Sequence, residues 1–361
     1  MAQSPPAKKH PTIADVAQRA GASISTVSRA FSGRDYISPA KREAVLKAAR
    51  ELGFEVNPHA QRLAQGYGHD NIGIFTLNLD LDIGTRLLQV IQRQLMDTGF
   101  EVAVHGYGSW RSHEKVEQGA ILAALRRQRP RAVICTTVGL SAEALAELRR
   151  YQEEGGLVVC YHHPVAEDFE QVVFDEEENT YRATRHLLEL GHRHLGFCHH
   201  GNDKPQHPQL RGFRRACAEF GAPLREDRVF HGGLYEENGA QLAQQFLDLE
   251  ERPTAIYVAN EHAAAAFINE VARAGLRVPE AVSAVSHGDM PAARYCAVPL
   301  TTVSCPVEKI AQHVVEMTLS RIEGCYSGPP RRVVVSGELI VRRSTNSPAS
   351  TRERDKEREG E

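Results

Sequence analysis

From residue 72 onward the chain alternates between two kinds of apolar pattern, and that alternation leaves it few architectures. Short apolar runs at 72–77, 101–105, 132–136, 157–161, 195–198, 255–258 and 282–285 have the length of strands buried on both faces. Between them, at 84–98, 114–127, 142–153, 180–190, 210–220, 236–249 and 262–274, apolar residues recur at helical spacing. Several of these stretches end on glycine, as at Gly99, Gly191, Gly221 and Gly275, where a helix leaves through a left-handed residue. Buried strands alternating with helices give a parallel, doubly wound sheet, because a crossover helix must return the chain before a parallel neighbour can start. More than six strands in two blocks predict two such sheets. Ligands of such sheets bind outside the carboxyl ends of the strands. That singles out Asn78, Asp80, Tyr107, His162, His163 and Asp175 in the first block. In the second it singles out His199, His200, Asn260, Glu261, His287 and Asp289.

The first seventy residues follow another rule. Ile13, Val16, Ala17 and Ala20 make a short apolar stripe closed by Gly21. Ser23 offers an N-cap to a second helix carrying Val27 and Ala30. Ser38-Pro39 opens a third, striped by Val45, Leu46, Ala49 and Leu52 and closed by Gly53. The segment 12–31 is thus a helix, a glycine turn and a second helix, with small residues where the two must cross. The outward N-terminal face of the second helix carries Ile24, Ser25 and Arg29, with Ser23 and Thr26 beside them. In a major groove, Arg29 suits guanine O6 and N7, and Ile24 a thymine methyl. Thr12 and Ser28 suit phosphates, which position without specifying. Charge agrees: residues 1–68 hold ten Lys/Arg and five Asp/Glu, a net +5, which leaves −8 for the rest of a chain whose total is −3. A basic head on an acidic body suits a head that meets phosphates.

Other classes find little support. No apolar run approaches the ~20 residues that cross a bilayer. The segment 1–10 lacks the apolar core of a secretory signal. The seven cysteines form no C-x-x-C pair, and most sit in apolar runs, which predicts free thiols, a reducing cytoplasm and no zinc framework. No nucleophile elbow, phosphate-binding glycine loop or metal-ligand spacing is present, so neither an enzyme nor a cofactor is expected. An exported binding protein on the same sheets would not carry the helix-turn-helix.

The segment Thr12–Phe31, with Ser23-Ile24-Ser25-Thr26-Val27-Ser28-Arg29 at its centre, closely resembles the LacI/GalR family of bacterial repressors. So do Leu190-Gly191-His192-Arg193, Arg252-Pro253-Thr254-Ala255, Gly275-Leu276-Arg277-Val278-Pro279 and Pro299-Leu300-Thr301-Thr302-Val303, and the resemblance covers residues 12–345. It implies a multidomain chain: a three-helix helix-turn-helix DNA-binding domain, then an α/β periplasmic-binding-protein-like domain of two doubly wound parallel-sheet subdomains. The implied division is a disordered arm at 1–11, the DNA-binding domain at 12–56, a hinge helix and linker at 57–70, the effector-binding and dimerisation domain at 71–345, and a disordered tail at 346–361. Within the large domain, one subdomain takes about 71–170 and 304–326, the other about 171–299 and 330–345. The resemblance further implies a cytoplasmic homodimer on double-stranded operator DNA, controlled by a small molecule in the inter-subdomain cleft. The tail Ser347–Glu361 has no leucine, so the leucine heptad of the family's tetrameric member is missing.

The hinge stretch Phe54–Leu63 departs from the family pattern: its proline stands at 58 instead of 56, and Gln61 replaces an arginine. Asn57, His59 and Ala60 fall on DNA-contacting positions, and Leu63 on the leucine that wedges into the minor groove. The effector positions depart further. Gln209 replaces the usual arginine, Gly288 the usual aspartate and Asn179 a glycine, while Asn260 is kept. Losing the arginine and the aspartate removes the two strongest polar anchors for a sugar or purine. Histidines stand where strands end instead, at His162, His163, His199, His200 and His287, and such a group suits a metal or, when protonated, an anion. An effector-independent DNA-binding regulator with a degenerate sensor is the competing expectation.

Overall fold

A computed structural model describes residues 11–32, 37–54, 71–77, 82–107, 116–165, 168–199, 207–232 and 234–348. The arm up to residue 10, the hinge stretch with Asn57, His59, Ala60 and Leu63, and the strand-end residues Asn78, Asp80 and His200 lie outside the described residues.

The head is built by caps and small residues. In α1 (Ile13–Ala20), Thr12 and Asp15 form a reciprocal capping box, and Gly21 ends the helix at φ +60°. In α2 (Ile24–Ser32), the Ser23 hydroxyl accepts the Thr26 N–H at 3.2 Å. In α3 (Pro39–Leu52), Pro39 opens the helix and Gly53 closes it at φ +63°. The core between them is Val16, Ala17, Val27, Ala30, Val45, Ala48 and Ala49. Leu46, expected in the apolar stripe of α3, is 38% exposed, and Ala48 faces the core in its place. The inward row is 45, 48, 49 and 52, the spacing that keeps side chains on one helix face.

Twelve strands follow among the described residues: β1 (Asn71–Leu77), β2 (Glu101–Tyr107), β3 (Ala132–Thr136), β4 (Leu157–His162), β5 (Glu170–Phe174), β6 (Leu195–His199), β7 (Val229–His231), β8 (Ala255–Val258), β9 (Ser283–Gly288), β10 (Thr301–Ser304), β11 (Arg332–Val335) and β12 (Leu339–Ile340). They form two six-stranded sheets, ordered β11-β5-β4-β3-β1-β2 and β12-β10-β9-β8-β6-β7. Every described pairing is parallel except β10 with β12. The helices Asp82–Met96 and Val307–Ile322 cover one face of the first sheet, burying Leu87, Ile91, Ile310 and Val314 against Ile72, Ile134 and Val159. The helices Glu176–Glu189 and Pro208–Glu219 cover one face of the second, burying Ala183, Leu187 and Phe213 against Phe197 and Tyr257.

Two boundaries differ from those expected. Strands β5 and β11 belong to the first sheet, not the second, so the division does not fall at 170 or 330. The chain crosses between sheets three times instead: from β5 into the helix Glu176–Glu189, from β10 into the helix Val307–Ile322, and from β11 to β12. Strand β5 is hard to read because it begins with Glu170 and Gln171, both buried. A buried carboxylate needs compensation, and Arg321 and Arg331 supply it with Nε at 2.6 and 2.9 Å. Asn346, expected in the tail, is tied to the second sheet, its carbonyl accepting His192 Nε2 at 2.8 Å and Ser283 Oγ at 3.0 Å. No helix among the described residues is long and apolar enough to cross a membrane.

Candidate functional site

Two places gather polar side chains that packing alone does not explain. The first is the outer face of α2. Ile24 is 53% exposed, and Ser25 and Arg29 are exposed beside it, while Thr26 and Ser28 are half-buried. Ser23 Oγ lies 2.8 Å from both Ser25 Oγ and Thr26 Oγ1, so three hydroxyls cluster at the helix N-terminus. Backbone N–H groups there attract anions. Arg29 lies back along the helix, its Nε donating to the Ser25 carbonyl at 3.3 Å. Thr12 also serves the fold, since its hydroxyl donates to Asp15 Oδ2 at 2.7 Å as half of the cap of α1.

The second place is a cavity of about 200 Å³ between the two sheets. The first sheet contributes Thr76, Thr136, Tyr161, His162 and His163, and the helix Asp82–Met96 contributes Asp82 and Ile83. Across from them stand Glu176, His207, Asn260, Glu261, His262 and His287. The described lining contains three carboxylates and five imidazoles but no lysine or arginine. His262 spans the gap, with Nε2 3.1 Å from Asp82 Oδ2 on one side and Nδ1 3.0 Å from Glu236 Oε1 on the other.

Of the residues singled out at strand ends, His162, His163, Asn260, Glu261 and His287 line this cavity. Asp175 does not: it caps the helix Glu176–Glu189, accepting the Glu178 N–H at 3.0 Å. Asp289 is held by Arg294 at 2.7 Å and by Arg342, and stands outside the lining. Gln209 is fully buried in the first turn of its helix, and neither amide atom has a hydrogen-bond partner among the described residues. His199 stacks on Phe197 at 5.5 Å between ring centroids and is not part of the lining, standing one ring behind His207 at 5.4 Å. The strand-end rule therefore finds the place, but not which strand-end side chains turn into it. It misses Glu176, His207 and His262 altogether. Glu176 is the neighbour of Asp175, which the rule selects in its place; His207 follows no strand seen in the pattern, and His262 begins a predicted helix.

Three environments within the cleft have clear electrostatic causes. Burial pushes the Glu261 carboxyl up to about 8, against the Met290 and Asp289 N–H donors that hold it down. Oε2 accepts the Met290 N–H at 2.8 Å, Oε1 the Asp289 N–H, and Thr302 Oγ1 donates to Oε1 at 3.3 Å. Gly288 makes this packing possible: its φ is +130°, and a Cβ there would lie 3.1 Å from the Glu261 carboxyl carbon. Burial lowers both His163 and His287 to about 4, with Glu176 opposing it. His287 Nδ1 lies 2.9 Å from the Tyr257 hydroxyl, which also accepts Thr180 Oγ1 at 3.2 Å. At neutral pH both imidazoles are therefore uncharged, and the wall they make does not attract an anion.

Known proteins share both parts of this arrangement. Residues 12–57 match the family of bacterial regulatory proteins, lacI family, and residues 184–345 match a periplasmic binding protein-like domain. The chain is 26% identical over 341 residues to the NTD biosynthesis operon regulator NtdR of Bacillus subtilis (strain 168), covering 93% of this chain and 100% of that protein. It is 26% identical over 340 residues to the HTH-type transcriptional repressor PurR of Haemophilus influenzae (strain PittEE), covering 93% and 99%. A solved complex of the transcriptional regulator CelR with cellobiose superposes with a TM-score of 0.68 at 25% identity, over 92% of this chain and 99% of that one. The Lac repressor dimer bound to operator and the anti-inducer ONPF shares the fold with a TM-score of 0.73 at 23% identity, over 94% and 100%. The likeness runs through head and sheets together, so the chain belongs to the lacI family of bacterial regulatory proteins and is an effector-controlled, DNA-binding regulator of transcription.

Proposed function

We propose that the chain works in the cytoplasm as a homodimeric repressor, placing two copies of α2 in successive major grooves of a near-palindromic operator. Ile24 and Arg29 read base edges. Ser23, Ser25, Thr26, Ser28 and Thr12 meet bases or phosphates around them, and Leu63, with Asn57, His59 and Ala60, serves the minor groove between half-sites. The effector occupies the cleft and shifts the angle between the two subdomains. The observation that carries this is the placement of the cavity: it is walled by both sheets, and one contact across it, His262 to Asp82 at 3.1 Å, joins the two walls directly. A ligand that favours one spacing of those walls biases closure, with a coupling of about 1–3 kcal/mol expected for such devices. The cellobiose-bound relative suggests a sugar, but the arginine-to-Gln209 and aspartate-to-Gly288 replacements argue for another ligand class.

Operator selected from random duplexes, then titrated with the intact protein and with Arg29→Ala, tests the reading head. A bidentate arginine–guanine contact contributes about 1–3 kcal/mol of discrimination. The variant should lose that much on the selected operator and far less on random DNA. An equal loss on both would reduce Arg29 to a phosphate contact.

A further inference from the structure

Strand β4 ends in two consecutive histidines. In extended backbone, neighbouring side chains point to opposite faces, so His162 and His163 should diverge. They do not, because His162 adopts φ +101°, a backbone rarely taken by a side-chain-bearing residue. Both rings come to Glu176: His162 Nε2 lies 3.9 Å from Oε1 and His163 Nδ1 3.5 Å from Oε2. The three donor groups lie within 4.8 Å of one another. Thr137 pins the turn, its Oγ1 accepting the His163 N–H at 2.6 Å and donating to the His163 carbonyl at 2.9 Å. Glu176 is buried, and the two imidazoles are half-buried at the cavity wall.

We infer that His162, His163 and Glu176 form a binding site for a borderline-soft divalent transition ion such as Zn²⁺ or Co²⁺. Two imidazoles and one carboxylate are a donor set such ions accept, with the fourth position left open. Ligand bonds of about 2.0–2.2 Å put the donors of a tetrahedral site roughly 3.3 Å apart; the His–Glu separations of 3.5 and 3.9 Å, each to a different carboxylate oxygen, are close to that, and with one donor atom from each residue all three lie within 4.8 Å, so binding draws the widest pair together by rotation of the half-buried rings. The described lining offers carboxylates and no lysine or arginine, which suits a cation and repels an anion. The site also stands at a crossing. His162 and His163 end a strand of the first sheet, whereas Glu176 opens a helix packed on the second. An ion held by all three ties the two subdomains together, and this step rests on the cleft-effector reading above.

The test uses the full chain, stripped with a chelator and titrated with Co²⁺, Zn²⁺ and Mg²⁺. One Co²⁺ per chain should bind with the intense visible absorption of a four-coordinate site, Zn²⁺ should displace it, and Mg²⁺ should not. His162→Ala and Glu176→Gln should each weaken Co²⁺ binding at least about 100-fold, beyond the roughly 10–100-fold that outer-shell changes cause. His313→Ala, outside the cavity lining, should not. Absence of a stoichiometric Co²⁺ spectrum in the unaltered protein overturns the site without recourse to any variant, as does binding that survives both substitutions. Operator affinity measured on the same samples separates the two readings. A Co²⁺ spectrum with unchanged operator affinity keeps the metal site and removes the coupling between cleft and operator.

Discussion

In the head, the side chains that face outward ride on one short helix, and the fully buried core beneath them is valine and alanine, Val16, Ala17, Val27, Ala30, Val45, Ala48 and Ala49, with Ile13, Leu52 and Phe54 half-buried around it. In the cleft, the polar side chains come from strand ends and helix starts in both sheets, and Glu176, Glu261 and His287 among them are buried. The head therefore separates its chemistry from its stability. Exposed Ile24, Ser25 and Arg29 can change without disturbing what holds the helices together. The cleft fuses the two, since Glu176, Glu261 and His287 are also packing elements in a low-dielectric setting. A substitution in the cleft that looks functional should register first as a change in folding.

Gly288→Asp is the sharpest way to break that comparison. By family pattern it restores an effector anchor; by packing it should be the most damaging single change in the cleft. It forces a side chain onto φ +130° and sets Cβ 3.1 Å from a Glu261 carboxyl that is itself fixed by Met290, Asp289 and Thr302. Backbone strain of about 1–3 kcal/mol adds to crowding of similar size, for a loss on the order of 3–5 kcal/mol in denaturant unfolding. A variant of unaltered stability would mean that the cleft tolerates exchange as the head does.

The same contrast decides how much could be read from the sequence. The head was legible because cap, turn glycine and apolar spacing all fall within some forty residues of chain. The sheets were legible as an alternation, and the cleft as the place where strands end. Which side chains meet there was not legible. His162 and His163 converge on Glu176 only through a positive φ at a histidine, which no spacing rule anticipates. Strand β5, which delivers Glu176, opens on two buried polar residues, and the arginines that compensate Glu170 lie some 150 residues onward. Asp289 follows a strand as a ligand should, yet Arg342, 53 residues away in sequence, takes its carboxylate.

A titration sharpens the comparison further. Glu261 ionises near 4.5 in the unfolded chain and near 8 in the cleft. The stability its protonated form lends is complete below 4.5 and is lost as pH rises through 8. His163 and His287 act in the other direction: lowered to about 4, they lend stability above their ordinary 6.5 that is lost on acidification. Between pH 7 and 9 the histidines are silent, and Glu261 should cost the fold about 1.4 kcal/mol by linkage. Glu261→Gln should flatten the pH dependence of unfolding in that window. Substitution of the exposed Arg29 should leave it untouched, and a slope that persists in the Gln variant would assign it to another group.

The smallest effect expected is also the one that runs against intuition. Gln209 occupies a position the family gives to a ligand-binding arginine, which invites the view that its amide is functional. Yet among the described residues both amide atoms are buried without a partner, and Gln209 is not part of the cavity wall. An unsatisfied buried polar group costs about 1–3 kcal/mol relative to water, whereas an apolar side chain of the same shape does not incur that cost. Gln209→Met keeps the length and removes the polar atoms. It should raise stability by about 1 kcal/mol, read as a shift in the urea midpoint at unchanged slope, and leave operator affinity as it was. If the variant is instead destabilised by a similar amount, the amide has a partner in the folded protein, and position 209 belongs with the fused chemistry of the cleft rather than with its inert packing.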